Sequence, residues 1–147
     1  SAHAEANIYH DPHAAKIVFA AGGNQIIVGL DVTLKITCDR PVFADIAQAS
    51  PISGGFLKQA ADFYVEFYLQ SVGLDGCSMH DPAAVIACTH PELFTVEAMA
   101  IDVAITGEEV GDTIEVAKVD QPKVHVAVDV QAEAVRDLWI ERVKTLP

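Results

Sequence analysis

Residues 11–31 decide the fold class and read DPHAAKIVFAAGGNQIIVGLD. Asp11 and Pro12 predict a helix start, because an aspartate N-cap followed by proline at the first helical position is favoured. The two glycines at positions 22 and 23 predict its end. Residues 25–30 are short and almost continuously apolar, which predicts a strand buried on both faces of a parallel sheet. A helix, a glycine turn and such a strand form the second half of a βαβ unit, so we expect an α/β fold.

The rest of the chain alternates between helical and extended patterns. Helices are predicted over residues 41–49, 56–72, 82–88 and 131–146, and strands over 94–105, 113–119 and 123–130. The buried strand is expected to end at residues 31–33, and ligands of open α/β sheets bind beyond such carboxyl ends. The helix over 56–72 carries a broad aromatic face, most of which we expect to pack in the core. We expect a single domain over residues 1–147.

Composition and charge exclude several classes of partner. Of the 147 residues, 51% are apolar, which is enough for one hydrophobic core. The 21 acidic and 9 basic residues give a formal net charge of −12. Nucleic-acid binding needs a basic face, and anionic membrane surfaces attract basic segments, so we expect neither partner. No apolar run approaches the ~20 residues that span a bilayer.

Three cysteines, Cys38, Cys77 and Cys88, make a sparse and odd set. None is separated from another by two residues, so neither a zinc ribbon nor a redox motif is predicted. We interpret them as small apolar side chains. Reduced thiols, and a chain start that resembles no signal peptide, together predict a cytoplasmic protein.

The polar candidates for a site have ordinary structural explanations when taken singly. Glu5 and Asn7 suit a solvated terminus, and Asp31 suits a strand end. Asp81 either caps the helix that starts at Asp-Pro or points outward from its end. His80 beside Asp81, at a loop of an α/β fold, is a combination suited to acid chemistry and metal ligation. The other histidines, which we expect at the surface or incidentally in the core, are His3, His10, His13, His90 and His125.

The joint pattern of four blocks resembles the nucleoside hydrolase family, the inosine-uridine preferring nucleoside N-ribohydrolases. The blocks are residues 5–15, EANIYHDPHAA; 29–33, GLDVT; 73–82, GLDGCSMHDP; and 128–130, VDV, which leads into a helix with a tryptophan. The family's counterpart of the first block typically reads Glu-Phe-Asn, an apolar pair, an Asp-Pro helix start and Ala-Ala. The blocks occur in order, and the resemblance covers essentially all of the chain.

The resemblance implies a Rossmann-like nucleoside hydrolase fold, with a mixed, mostly parallel sheet flanked by helices. It implies cleavage of the N-glycosidic bond of ribonucleosides to base and ribose, with calcium as the cofactor. Carried over position by position, it makes His80 the catalytic leaving-group acid and Asp81 a metal ligand. Glu5 and Asn7 match positions that bind the ribose hydroxyls, and Asp31 has a supporting role. These residue types suit the chemistry, since Ca²⁺ prefers hard oxygen ligands and histidine is a common general acid.

The sequence also departs from the family pattern. Family members are considerably longer and open with an Asp-rich motif, Asp-x-Asp-x-x-x-Asp-Asp, which supplies the general base and most calcium ligands. This sequence contains no Asp-Asp pair, and Ala6 replaces the usual aromatic residue between Glu5 and Asn7. The resemblance therefore implies a C-terminal half that is inactive alone.

Three functional interpretations remain open at this stage. The first is a nucleoside hydrolase piece that acts on a ribonucleoside with a complementing N-terminal half. The second is a non-catalytic, stand-alone domain that uses the same scaffold for ligand binding or self-association. The third is a plain truncated fragment that self-association stabilises. In each case the apolar strand over residues 25–30 would lie at a sheet edge, and exposed edges pair readily, so we expect a homo-oligomer when the chain is alone.

Overall fold

The computed structural model describes residues 4–117 and 120–147, which form two compact units. The first unit comprises the described residues of Ser1–Leu30 and Val96–Val128, and the second comprises Asp31–Thr95 and Asp129–Pro147. His3, and the end of the strand predicted over 113–119, lie outside the described residues. The single-domain organisation stays a prediction.

Helices and short strands alternate along the chain, which confirms the α/β class. The helices are α1 (Ala6–His10), α2 (Pro12–Ala21), α3 (Leu30–Thr33), α4 (Arg40–Ala49), α5 (Ser53–Val72), α6 (His80–Thr89) and α7 (Ala132–Lys144), with a 3₁₀ turn at Pro91–Leu93. The strands are β1 (Ile26–Val28), β2 (Thr37–Asp39), β3 (Gly76–Ser78), β4 (Phe94–Met99), β5 (Ile101–Val103), β6 (Thr113–Glu115) and β7 (Val124–Val130). Among the described helices, none is long and apolar enough to cross a membrane.

The first unit is built on α2, β1, β5 and β7. The Asp11 carboxylate accepts a hydrogen bond from the amide of Ala14 at 2.9 Å, which confirms the predicted N-cap of α2. Strand β1 pairs in parallel with β7 in a sheet of order β1-β7-β4, and β5 pairs antiparallel with β6. The core of the unit consists of Phe19, Ile101, Val103 and Val124.

The apolar segment over residues 25–30 differs from its prediction. Within this segment Ile26–Val28 forms a strand, and its side chains are half-buried, because among the described strands β1 lies at the end of its sheet and pairs only with β7. The residues after it do not continue the strand, since Leu30–Thr33 form a helical turn. The Glu5 carboxylate accepts a hydrogen bond from the Leu30 amide at 2.7 Å, which satisfies one amide that a helix start leaves unpaired.

The second unit is organised by helices α4 and α5. Gly54 lets the two helices approach closely, because a Cβ added there would lie 2.6 Å from the backbone oxygen of Ile46. Strands β2 and β3 pair antiparallel, with Cys38 opposite Cys77, and the sequence analysis missed both strands. Each is only three residues long, too short to show an alternating pattern.

The aromatic face of α5 is exposed, so its interpretation as core is wrong for most of its members. The exposed fractions are 75% for Phe56, 81% for Phe63 and 57% for Phe67. Instead, α5 buries its small residues together with one valine, Gly54, Ala61 and Val65. Close packing of this narrow stripe against the unit turns the bulky side chains outward.

Candidate functional site

His80 and Asp81 open helix α6, directly after strand β3. The helix begins at His80, with Met79 as its N-cap and without a capping side chain. Asp81 therefore lies in the first turn and is not the cap. Its side chain is exposed, and no hydrogen bond reaches its carboxylate from residues 4–117 or 120–147. The Asp81 carboxylate therefore points outward and does not cap helix α6.

The imidazole of His80 is held at both nitrogens by hydroxyl groups. The Thr33 Oγ1 atom, at the end of α3, lies 2.7 Å from Nδ1. The Tyr68 hydroxyl, from α5, lies 2.7 Å from Nε2. Thr33 is buried, whereas His80 and Tyr68 are half-buried. Three separate elements thus fix the position of one ring.

A second tyrosine extends this group along α5. The rings of Tyr64 and Tyr68 are 5.0 Å apart between centroids and cross at 66°. Burial, followed by the neighbouring Tyr68 hydroxyl, raises the pKa of the Tyr64 hydroxyl to about 12. The Tyr64 hydroxyl therefore remains protonated across the physiological range and can only donate or accept hydrogen bonds there.

His80 and Asp81 line an open cavity of about 380 Å³ in the second unit, called here the His80 cavity. Its other walls come from strand β3 and from helices α4, α5 and α7, and they include Phe43, Leu57, Tyr64 and Trp139. The Phe43 and Trp139 rings pack edge to face, with 6.2 Å between their centroids. Asp81 and Trp139 also line a second cavity, of about 560 Å³, between α6 and α7. An apolar cavity with a few polar groups at one wall is typical of a small-molecule site.

Glu5 and Asn7 lie in the first unit, at the start of α1. Glu5 is the N-cap residue of this helix, and one carboxylate oxygen receives the Leu30 amide. Asn7 is exposed in the first turn. Glu5 is therefore more than a solvated terminus. The ribose-binding roles of both residues stay predictions, as does the supporting role of Asp31, which is exposed on α3.

The described residues do not fit a complete calcium site. Within residues 4–117 and 120–147, no group of three or more His, Cys, Asp and Glu side chains could hold a metal ion. Ca²⁺ takes six to eight oxygen ligands, and Asp81 offers one carboxylate. The assignment of Asp81 as a metal ligand stays a prediction.

The sequence analysis missed Thr33 and Tyr68 as partners of His80. Tyr68 was assigned to the aromatic face of the helix over 56–72, and Thr33 to a strand end. Both contacts are distant in sequence, 47 residues for Thr33 and 12 for Tyr68. The one available signal was that each residue lies in or just before a block that carries the family resemblance.

Comparison with known proteins places the chain in a family. The family described as inosine-uridine preferring nucleoside hydrolase matches residues 1–137. The pyrimidine-specific ribonucleoside hydrolase RihA of Salmonella arizonae is 36% identical over 153 aligned positions, which cover 96% of this chain and 47% of that protein. The probable uridine nucleosidase 1 of Oryza sativa subsp. japonica is 33% identical over 111 residues, which cover 76% of this chain and 34% of that protein.

Solved structures agree with the sequence comparison. A plant nucleoside hydrolase, PpNRh1, superposes with a TM-score of 0.91 at 31% identity, covering 97% of this chain and 48% of that one. A purine-preferring ribonucleoside hydrolase from Gardnerella vaginalis superposes with a TM-score of 0.89 at 32% identity, covering 96% of this chain and 46% of that one. The chain thus spans about half the length of these two structures. The extent of the match and the likeness of the fold show that the chain belongs to the inosine-uridine preferring nucleoside hydrolase family.

Proposed function

We propose that this chain supplies the leaving-group side of a ribonucleoside hydrolase site. The observation that carries the proposal is the hydrogen-bonded set of Thr33, His80 and Tyr68 beside the His80 cavity and Asp81. The reaction cleaves the N-glycosidic bond of a ribonucleoside and releases the base and ribose. The relatives named above act on uridine, pyrimidine or purine nucleosides, and the cavity accordingly suits a planar base.

The chemistry needs a proton at the leaving base. As the glycosidic bond breaks, its electron pair moves to the base nitrogen, and the sugar becomes oxocarbenium-like, as in other glycosidic cleavages. We assign the proton donor to the pair formed by His80 and Tyr68. Tyr68 gives its hydroxyl proton to the base, and the imidazole stabilises the oxygen left behind. Water then adds to the sugar carbon, and the proton it loses restores the pair.

We assign the binding of the ribose to Glu5 and Asn7. A carboxylate accepts hydrogen bonds from hydroxyl groups, and a carboxamide both donates and accepts them, so the two side chains suit a ribose diol. Glu5 keeps one oxygen for the Leu30 amide, which orients the carboxylate.

The calcium ion of the proposed enzyme needs ligands beyond the described residues. Asp81 would hold it through one carboxylate, with the remaining oxygens from the Asp-rich segment that this sequence lacks. A bound calcium ion supplies positive charge that orients the sugar diol and acidifies water. We therefore propose that the chain works together with a complementing N-terminal half, and that alone it hydrolyses no nucleosides.

The net charge and the cysteines support a proposal about partners and cellular compartment. A chain with net charge −12 is not expected on nucleic acid or on an anionic membrane. The three cysteines are free, two of them buried, which supports a reducing compartment, and we propose the cytoplasm.

Inosine and uridine hydrolysis by the purified chain, with and without a complementing Asp-rich half, tests the proposal. We expect no turnover from the chain alone, and turnover that a chelator abolishes once the halves are combined. Robust hydrolysis by the chain alone would contradict the need for a second half. Nucleoside binding without any turnover in the combined sample would favour the non-catalytic scaffold instead.

A further inference from the structure

We propose that Thr33 is a positioning residue that sets the tautomer of His80. Its hydroxyl donates to Nδ1, so that the neutral ring carries its hydrogen on Nε2 and donates to Tyr68. The effect on catalysis rests on the proposed function, whereas the tautomer itself does not.

The contacts alone allow two arrangements. Each ring nitrogen of His80 lies 2.7 Å from a hydroxyl oxygen, Thr33 Oγ1 at Nδ1 and Tyr68 at Nε2. A neutral imidazole has one donor and one acceptor, whereas a hydroxyl can take either role. Either Thr33 donates and Tyr68 accepts, or Tyr68 donates and Thr33 accepts.

Burial selects the first arrangement. Thr33 is 2% exposed, and its hydroxyl has no hydrogen-bond partner other than His80 within residues 4–117 and 120–147. If Thr33 accepted from Nδ1, its own hydrogen would be buried without an acceptor, which is unfavourable. Tyr68 is half-buried, so its hydrogen can turn toward solvent or a ligand. The imbalance in exposure between the two hydroxyls therefore places the ring hydrogen on Nε2.

The selected tautomer determines what the pair can do. Because Nε2–H donates to the Tyr68 oxygen, the Tyr68 hydroxyl hydrogen is not used within the pair and remains available to a leaving base. The same donor stabilises the negative charge that develops on Tyr68 when its proton leaves. In the opposite tautomer, the Tyr68 hydroxyl would donate its hydrogen to Nε2 of His80, and that hydrogen would not be available to a leaving base.

Nitrogen-15 NMR of the histidine rings in the 147-residue chain tests the tautomer directly. A His80→Gln sample identifies the His80 signals. At a pH where the ring is neutral, we expect Nδ1 to give the shift of an unprotonated nitrogen and Nε2 that of a protonated one. The reverse assignment would overturn the proposal. Because this measurement uses the wild-type chain, it does not depend on whether a Thr33 variant folds.

Variants at Thr33 separate the hydroxyl from its packing. We expect Thr33→Val to move both His80 ring shifts toward a mixture of tautomers, and Thr33→Ser, which keeps the hydroxyl, to restore the wild-type pattern. Thr37→Val makes the same chemical change at an exposed position of β2 and should leave His80 unaffected. Unchanged His80 shifts in folded Thr33→Val would also overturn the proposal.

The combined, active enzyme supplies a kinetic test. We expect Thr33→Val to lower kcat for inosine by about tenfold, less than the roughly 10²-fold or larger loss on removing a general acid. KM should stay unchanged, as should the rate with 4-nitrophenyl riboside, whose leaving group needs no proton. If the combined halves show no activity, the proposed function fails while the NMR result still decides the role of Thr33.

Discussion

At the scale of single residues, the proposed site places a member of the proton-donating pair, His80, next to the proposed metal ligand, Asp81. His80 contacts Tyr68 and Thr33, whereas the Asp81 carboxylate is exposed and free of hydrogen bonds from the described residues. Adjacent side chains at a helix start point in different directions, so each can serve a different part of the reaction.

The first residue-scale prediction uses this separation in the combined enzyme. We expect His80→Ala to lower turnover by roughly 10² to 10⁴-fold, the range for loss of general acid catalysis, because Tyr68 then lacks the imidazole that stabilises its oxygen. The calcium requirement should change little. Asp81→Asn should instead weaken calcium and nucleoside binding together. Steady-state kinetics over a calcium titration measure both effects. Unaltered kinetics in both variants would remove these residues from the site.

The second residue-scale prediction concerns the thiols. Burial, followed by the neighbouring Cys77, raises the pKa of the Cys38 thiol to about 12, and burial also raises the pKa of Cys77. Cys88 is exposed. Because the thiolate is the reactive form, we expect iodoacetamide at pH 8 to label only Cys88 in the native chain and all three cysteines in urea. Peptide mass spectrometry gives the sites, and native labelling of Cys38 at the rate of Cys88 would contradict the prediction.

The same shift gives the chain a direction of pH dependence. The folded pKa of Cys38 lies above its unfolded value of 9.0, so the unfolded chain loses this proton first as pH rises. The contribution of Cys38 to stability is therefore complete below pH 9 and is lost progressively toward pH 12. Urea unfolding of wild type and Cys38→Ala at pH 8 and pH 10 measures it: the loss on going to pH 10 should be smaller in the variant.

At the scale of elements, the packing of α4 against α5 depends on one missing side chain. We expect Gly54→Ala to reduce the free energy of unfolding by about 1–3 kcal/mol, because its Cβ would lie 2.6 Å from the Ile46 carbonyl oxygen. Gly55→Ala is the matched control, since nothing lies within 4 Å of its added Cβ. There, alanine should stabilise the helix by roughly 0.5–1 kcal/mol. Urea denaturation midpoints compare the two, and equal shifts would refute the close approach.

How much the sequence predicts also depends on the element. Helix α2 follows from local signals, an aspartate cap and a glycine end, and its cap forms as expected. Helical turn α3 follows less well, because a carboxylate 25 residues away, Glu5, pairs with its first amide. The contacts of His80 are non-local in the same way, so the sequence identifies the histidine but not its hydroxyl partners.

At the scale of the whole molecule, exposed apolar surface sets the expected behaviour of the isolated chain. Strand β1 has three branched apolar side chains and pairs on one side only among the described strands. An uncharged apolar edge is a template for pairing with another chain. Helix α5 adds three exposed phenylalanines, Phe56, Phe63 and Phe67. Apolar patches of this kind mark association surfaces.

The last prediction is that the chain alone forms a homodimer. The net charge of −12 opposes association, but exposed charges are screened beyond about 8 Å at physiological salt, whereas strand pairing and apolar burial act at contact. Sedimentation equilibrium at low micromolar concentration should give about twice the 15.7 kDa chain mass, and more complete association at higher salt. A double variant, Phe56→Gln and Phe63→Gln, locates the dimer contact. Loss of the dimer in this variant assigns the contact to α5, and a dimer that persists assigns it to β1. A wild-type mass of 15.7 kDa would mean that the chain closes its own sheet edge, and the expectation of a missing half would be wrong.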